Sequence, residues 1–110
     1  MDMKDAKDDK PKSVIRETDG DAILLAKNLI RAARFGSLAT LEAATGHPFA
    51  SLTSVATDID GAPLILISKL SGHTANLAAD RRCSLLLGQP GKGDPLAHPR
   101  ITLIAQAAPI

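Results

Sequence analysis

The 110-residue sequence is poor in aromatic residues and in cysteine, and each shortage excludes a class of protein. It has no Trp, no Tyr and two Phe, so it lacks the aromatic platforms on which single-stranded nucleic acid stacks. A formal net charge of +1 gives no electrostatic case for nucleic acid or an anionic membrane surface as a partner. The single cysteine, Cys83, excludes a disulfide within the chain.

Long apolar runs are also missing. No stretch reaches the roughly 20 apolar residues of a membrane span. The N-terminus is charged from Asp2 onward and has no apolar signal-peptide core, so we expect a cytoplasmic protein. Hydrophobic residues make up 45% and charged residues 23%, which is typical of a globular domain. We predict one domain over residues 19–110, preceded by a disordered arm rich in Lys and Asp over residues 1–18.

The order of apolar and polar residues predicts a mainly β protein with two helices. Apolar residues recur at helical spacing over residues 21–34, behind the acidic opening at Asp19 and Asp21. Gly36 is the expected stop of this long helix. Short apolar runs between turn residues predict five strands, over residues 37–41, 49–57, 64–68, 83–87 and 100–107. Hairpin connections imply antiparallel pairing, and a small barrel is an economical way to hide the strand edges.

The stretch over residues 63–87 combines strand, polar turn, short helix and strand. Ser71 is the predicted N-cap of the short helix and Asp80 lies at its end. Lys69, His73 and Thr74 surround the helix start, where unpaired amides and the helix dipole favour an anion such as phosphate. The alternative is that these side chains only cap the helix and cover its exposed end. Spacing alone favours that alternative, because capped turns far outnumber phosphate sites.

No other pattern in the sequence indicates a metal, phosphate-binding or catalytic site. His47, His73 and His98 are too scattered for a zinc pattern and no second Cys supports one, so we predict no metal site. His47 and His98 each precede a proline in a turn and are expected at the surface. Residues 91–93 lack the spacing of a phosphate-binding loop. No catalytic residue can be nominated from the sequence.

Four motifs, taken in order, resemble the FMN-binding split barrel of the pyridoxamine 5'-phosphate oxidase-like superfamily. The match is closest to its haem-utilisation (HugZ-like) branch. The motifs are Phe-Gly-x-Leu-Ala-Thr-Leu at 35–41, Pro-x-Ala-Ser at 48–51, Leu-x-x-His-Thr-x-Asn-Leu at 70–77 with Ser-Leu-Leu at 84–86, and Gly-Asp-Pro-Leu-Ala-His-Pro-Arg at 93–100. The resemblance covers about residues 21–107. It implies an antiparallel, Greek-key-like split β-barrel, and it favours the phosphate interpretation over the capping one.

The resemblance also implies where FMN is held. Its phosphate is expected at the end of the third predicted strand and the start of the helix that follows, with polar contacts from the second strand. The implied FMN-binding residues are Ser51, Ser54, Ile67, Ser68, Lys69, Gly72, His73, Thr74 and Asn76. The sequence differs from the family pattern in two ways. Ser and Thr replace the basic residues that the oxidase proper places on the second strand. The chain also ends before the strands that complete a substrate pocket, so we expect a truncated barrel without pyridoxamine-phosphate oxidase activity.

Three functions remain open at this point. The first is an FMN-dependent oxidoreductase whose flavin rests on aliphatic side chains, backbone or a second subunit. The second is a haem-binding or haem-degrading protein of the haem-utilisation branch, with an axial His on the iron. The third is an interaction module without a ligand. Five strands leave apolar surface uncovered, so we also expect a homodimer built on the barrel strands, with the flavin at or near its interface.

Overall fold

The computed structural model describes residues 19–110, and the arm predicted over residues 1–18 lies outside them. Two α-helices and a five-stranded sheet make up most of the described chain. They are α1 (Gly20–Ala32), β1 (Phe35–Leu41), β2 (Pro48–Thr57), β3 (Pro63–Leu66), α2 (Gly72–Ala79), β4 (Arg82–Leu87) and β5 (Ile101–Gln106), with a short 3-10 helix (Pro95–Ala97) before β5. The mainly β class, the five strands and the two helices are confirmed.

Every pair of neighbouring strands is antiparallel, in the order β3-β2-β1-β4-β5. The strands β1, β2 and β3 follow one another as a meander. The chain then passes through α2 and returns to the free side of β1, where β4 and β5 form a second hairpin. This curled antiparallel sheet confirms the split-barrel prediction, and it places β1 at the centre although it is the first strand in the sequence.

The inner face of the sheet carries the hydrophobic core. Its buried side chains come from β1, β2, β4 and α2, and they are Leu38, Val55, Leu77, Leu85 and Leu87. Cys83 packs against this core as a half-buried thiol, and burial raises its pKa. The core therefore joins α2 to the sheet, which fixes the helix start against β1 and β2.

The outer face of the sheet is also apolar. Each strand contributes one large, exposed apolar side chain to it, and we call these five the outer apolar face: Phe35, Leu52, Leu66, Leu86 and Ile104. The exposed fraction is 69% for Leu52 and 87% for Ile104. Serines separate these side chains in the register, as Ser37 does for Leu52 and Leu86, but large apolar groups exposed on every strand still favour an interaction surface over an ordinary solvated face.

Helix α1 begins as predicted but ends earlier. The Asp19 side chain accepts a hydrogen bond of 2.8 Å from the Ala22 amide, whereas the helix stops at Ala32 and the chain becomes extended. The prediction that Gly36 ends the helix is therefore wrong, because Gly36 lies inside β1. A Cβ atom there would stand 2.7 Å from a methyl carbon of Leu87, so close packing of two strands is what requires glycine at this position.

The apolar stripe of α1 covers the barrel only at the helix's C-terminal end. Ile30 in the last turn and Ala33, the residue after the helix, pack against the core. Leu25 is 48% exposed, and no residue of α1 is fully buried. Within residues 19–110, no helix is long and apolar enough to cross a membrane.

Candidate functional site

The turn between β3 and α2 is built around the carbonyl oxygen of Ser68. This oxygen accepts hydrogen bonds from the Ser71 amide at 3.2 Å, from the Ser71 hydroxyl at 2.9 Å and from the Thr74 hydroxyl. The hydroxyl of Ser68 in turn accepts from the Leu70 amide at 3.1 Å. The three hydroxyl groups of this segment are therefore engaged within the turn itself.

Helix α2 starts without a side-chain cap. Ser71 occupies the predicted N-cap position in an extended conformation, but its hydroxyl makes no capping hydrogen bond. The predicted hydroxyl cap is wrong because the Ser68 carbonyl and the Thr74 hydroxyl hold the Ser71 side chain instead. Among the described residues, the amides of Gly72 and His73 have no hydrogen-bond acceptor. A helix start with free amides attracts anions.

The imidazole of His73 is fixed at one nitrogen and open at the other. The residue is only 9% exposed, and its Nδ1 lies 2.9 Å from Oγ of Ser51 on β2. In the described chain, every buried side-chain nitrogen or oxygen has a hydrogen-bond partner. His73 has one only at Nδ1, so Nε2 must reach solvent. This nitrogen can donate a proton to an anion or offer a lone pair to a metal.

Asn76 attaches α2 to the central strand. Its Nδ2 donates to Oγ1 of Thr40 at 3.0 Å, and its Oδ1 accepts from the Ala43 amide at 3.0 Å. Asn76 and Thr40 are both buried, so this contact is shielded from water. No sequence pattern indicated this structural role, and the predicted contact between Asn76 and FMN stays a prediction.

The two serines predicted on β2 lie on opposite faces of the sheet. Ser51 points to the inner face, where it meets His73. Ser54 is three residues further along the strand, is exposed, and pairs with Leu66 on the outer face. Side chains an odd number of residues apart on a strand face opposite ways. The structure therefore brings Ser51, and not Ser54, to the start of α2, and the contact of Ser54 with a cofactor stays a prediction.

The remaining predicted residues surround the turn in different ways. Ile67 follows the end of β3 and packs against the core. Lys69 is exposed in the turn, and within residues 19–110 its ammonium group has no carboxylate partner. Gly72 lies beside the ring of Phe49, where a Cβ atom would be 3.7 Å from Cζ. We call Ser51, Lys69, Gly72 and His73 the helix-start site, because Gly72 and His73 open α2, Ser51 contacts His73, and Lys69 lies in the turn that leads into the helix.

A groove of about 550 Å³ lies elsewhere, on the outer side of β1, β4 and β5. Ala39, Ser84 and Ile104 line it, and none of the predicted cofactor-binding residues does. At its edge, the guanidinium of Arg82 lies 2.7 Å from the Asp80 carboxylate. The hydrogen bonds from Arg82 lower the pKa of Asp80 from 3.8 to about 2.

The helix-start site fits the anionic group of a cofactor. It combines two free amides with the Lys69 ammonium and Nε2 of His73, and these donors match the acceptor oxygens of a phosphate. It holds one imidazole, and among residues 19–110 no three His, Cys, Asp or Glu side chains cluster as metal ligands. One imidazole is enough to hold haem iron, since the porphyrin nitrogens supply the remaining ligands.

Comparison with known proteins gives the same fold and names the family. The family model described as pyridoxamine 5'-phosphate oxidase matches residues 25–110. A solved structure of a protein of unknown function from Agrobacterium tumefaciens is 31% identical, with a TM-score of 0.75 over 88% of this chain and 40% of that one. A haem-binding protein from Mycobacterium smegmatis is 35% identical, with a TM-score of 0.66 over 74% of this chain and 34% of that one.

A curated relative matches a shorter stretch. The non-canonical haem oxygenase HOZ of Arabidopsis thaliana, a chloroplastic protein, is 41% identical over 44 residues, which are 40% of this chain and 14% of that protein. The chain thus spans less than half the length of each of these three relatives. The family model, by contrast, covers most of the chain. The chain belongs to the pyridoxamine 5'-phosphate oxidase-like split-barrel family, in its haem-utilisation branch.

Proposed function

We propose that the protein binds FMN as a flavin-dependent oxidoreductase, with the FMN phosphate at the helix-start site. The observation that carries this proposal is the uncapped start of α2, where the amides of Gly72 and His73 are free and Lys69 lies exposed in the turn just before them. Membership of the pyridoxamine 5'-phosphate oxidase-like family also supports FMN, because this family usually binds flavin.

The chain's own contribution is binding and orientation. Bound FMN supplies electron transfer through its isoalloxazine ring. The two amides and Nε2–H of His73 donate to phosphate oxygens, and Lys69 neutralises part of the phosphate charge. We assign no side chain of the helix-start site a catalytic role, and the substrate of the flavin is not specified by these residues.

A second candidate ligand is haem. Two relatives are named for it, the haem-binding protein of Mycobacterium smegmatis and the haem oxygenase of Arabidopsis thaliana. The geometry of His73 favours it independently, because metal-bound imidazoles are typically held by a hydrogen bond at the other ring nitrogen. In this case Nε2 of His73 would hold the haem iron, and the free amides of the helix start would be donors for an anionic group of the haem.

Titration of the ligand-free protein with FMN tests the first candidate. Removing one hydrogen bond to a charged group costs about 1.5–3 kcal/mol, which corresponds to a roughly ten- to hundredfold loss of affinity. Lys69→Ala and His73→Ala should each weaken FMN by that factor. Riboflavin lacks the phosphate and should bind parent and variants equally. His47→Ala is the matched control, because His47 is exposed and outside the site. Unchanged FMN affinity in both site variants would contradict the proposal.

Addition of ferric haem to the same proteins tests the second candidate. The parent should give a shifted Soret band, and His73→Ala should lose the part of the shift that comes from axial ligation. A shift of equal size in His73→Ala would show that His73 is not the ligand. A protein that takes up neither FMN nor haem would leave the interaction module as the remaining hypothesis.

We also propose a homodimer that covers the outer apolar face, with the flavin at or near the interface. Fully burying one large apolar side chain contributes about 1.5–3 kcal/mol. Covering five partly exposed ones therefore contributes roughly 5–10 kcal/mol, which is comparable to the ~8 kcal/mol of a micromolar complex. In sedimentation at micromolar concentration, Leu52→Asp should yield a monomer. Leu24→Asp, which changes an exposed leucine on α1, should leave the dimer intact. A monomeric parent protein would contradict this assembly.

A further inference from the structure

We infer that Ser51 lets His73 hold two classes of ligand, because its hydroxyl can donate to or accept from Nδ1 and so supports either tautomer of the imidazole. This inference rests on the proposed ligand site at His73. A neutral imidazole carries one ring proton, so the partner of one nitrogen decides what the other nitrogen offers. In this protein the partner of Nδ1 is Oγ of Ser51, at 2.9 Å.

The two directions of this hydrogen bond have opposite consequences at Nε2. When the Ser51 hydroxyl donates to Nδ1, the ring proton sits on Nε2, which can then donate to a phosphate oxygen. When Nδ1–H donates to the hydroxyl, Nε2 presents a lone pair, which suits a bond to iron. The serine hydroxyl can act either as the donor or as the acceptor because it has one proton and two acceptor lone pairs.

The surroundings leave the direction of the Ser51 hydroxyl open. Among the described residues, His73 is the one hydrogen-bond partner of this hydroxyl. The hydroxyl of Thr74 is different, because the Ser68 carbonyl holds it as a donor. No neighbour therefore forces the Ser51 hydroxyl to donate or to accept, and the incoming ligand selects the direction.

The distance between the two side chains is set by rigid elements. Ser51 lies within the paired part of β2, opposite Leu38 of the central strand. His73 lies in the first turn of α2, which Asn76 ties to the same central strand through Thr40. The 2.9 Å contact is therefore maintained by the sheet and the core, so that proton placement can change while the ring stays in position.

Three substitutions separate this role from simple packing. Ser51→Thr keeps the hydroxyl and should retain both ligands. Ser51→Asp can only accept, so it should hold the proton on Nδ1, weaken FMN at least tenfold and preserve porphyrin binding. Ser51→Ala removes the partner, and loss of such a supporting hydrogen bond typically costs about ten- to hundredfold in metal affinity. Parent-like affinities for both ligands in Ser51→Ala would show that Ser51 is only a packing residue.

Nitrogen-15 NMR of the histidine rings reads the tautomer directly. The protein is measured with FMN and, separately, with zinc protoporphyrin IX, which is diamagnetic and accepts one axial imidazole. His73→Ala identifies the His73 signals. We expect the proton on Nε2 in the FMN complex and on Nδ1 in the porphyrin complex. The same tautomer in both complexes, or a ring protonated at both nitrogens with FMN, overturns the inference.

The remaining outcomes distinguish this inference from the function on which it rests. If neither probe binds, the proposed function fails and the role of Ser51 fails with it. If both probes bind but the His73 signals do not respond, the ligand site lies elsewhere and the inference is overturned. If only one probe binds, the inference stands only when the ring has the tautomer assigned to that probe.

Discussion

Truncation of Asn76 separates a structural role from a ligand-binding role at the start of α2. Both ends of its amide are bonded within the protein, to the Thr40 hydroxyl and to the Ala43 amide. If these bonds hold the helix on the sheet, Asn76→Ala must destabilise the protein in the absence of any cofactor. If Asn76 mainly contacts a cofactor, Asn76→Ala should hardly change the stability of the ligand-free protein.

The size of the effect follows from burial. A typical hydrogen bond contributes about 0.5–1.5 kcal/mol net, and a buried polar group left without its partner costs about 1–3 kcal/mol. Thr40 is buried, so its hydroxyl cannot turn to water when Asn76 is removed. We therefore expect Asn76→Ala to lower the free energy of unfolding by about 2–3 kcal/mol. With a urea slope of ~1–3 kcal/mol/M, the unfolding midpoint falls by roughly 1–2 M.

Urea unfolding of the ligand-free protein measures this change, and two variants control it. Asn28→Ala makes the same substitution at an exposed position of α1 and should change stability by less than about 0.5 kcal/mol. In a Thr40→Val background, Asn76→Ala should cost about 1 kcal/mol less than in the parent, because the partner hydroxyl is already gone. A loss below ~0.5 kcal/mol in the single variant would refute the structural role.

Three further predictions concern positions away from the helix start. Gly36→Ala should lower the free energy of unfolding by about 1–3 kcal/mol, since its Cβ would overlap a side chain of β4 at 2.7 Å; thermal unfolding measures this. Gly91→Ala would put a Cβ 2.8 Å from the ring of His98, so it should shift the His98 NMR signals without altering FMN affinity. Arg82 lowers the pKa of Asp80 to about 2. That stabilisation is present above the ordinary pKa of 3.8 and is lost as the pH falls toward 2, so Asp80→Asn should flatten the fall of the thermal midpoint in this range.

Local chemistry made much of the fold predictable. The turn between β2 and β3 is one example, because Asp58 accepts hydrogen bonds from the amides of Asp60 and Ala62 and Gly61 has a positive φ of 87°. These residue types form such turns by themselves. Gly36 shows where local reasoning failed. Position 36 does require glycine, but the requirement comes from the close approach of a neighbouring strand and not from the end of a helix.

The contacts that shape the candidate site lay beyond the reach of sequence spacing. Ser51 and His73 are 22 residues apart, and Thr40 and Asn76 are 36 residues apart. Both contacts depend on strand register and on the return of the chain to the free side of β1, which no local pattern encodes. The helix start itself was predicted, whereas the loss of its cap was not, because a carbonyl of the preceding turn competes for the Ser71 hydroxyl.

The position of β1 has a consequence for the order in which the protein folds. β1 pairs with β2 across a short connection, but its other edge pairs with β4, where Ser37 lies opposite Leu86. Closing that long loop costs more entropy than closing the hairpin, so the β1–β2–β3 meander should form first and β4–β5 should dock later. Until they dock, an edge of the future central strand is unpaired beside the apolar side chain of Leu38. Such an edge is a template for pairing with another chain, so the interval between the two steps is when newly synthesised protein is most prone to aggregate.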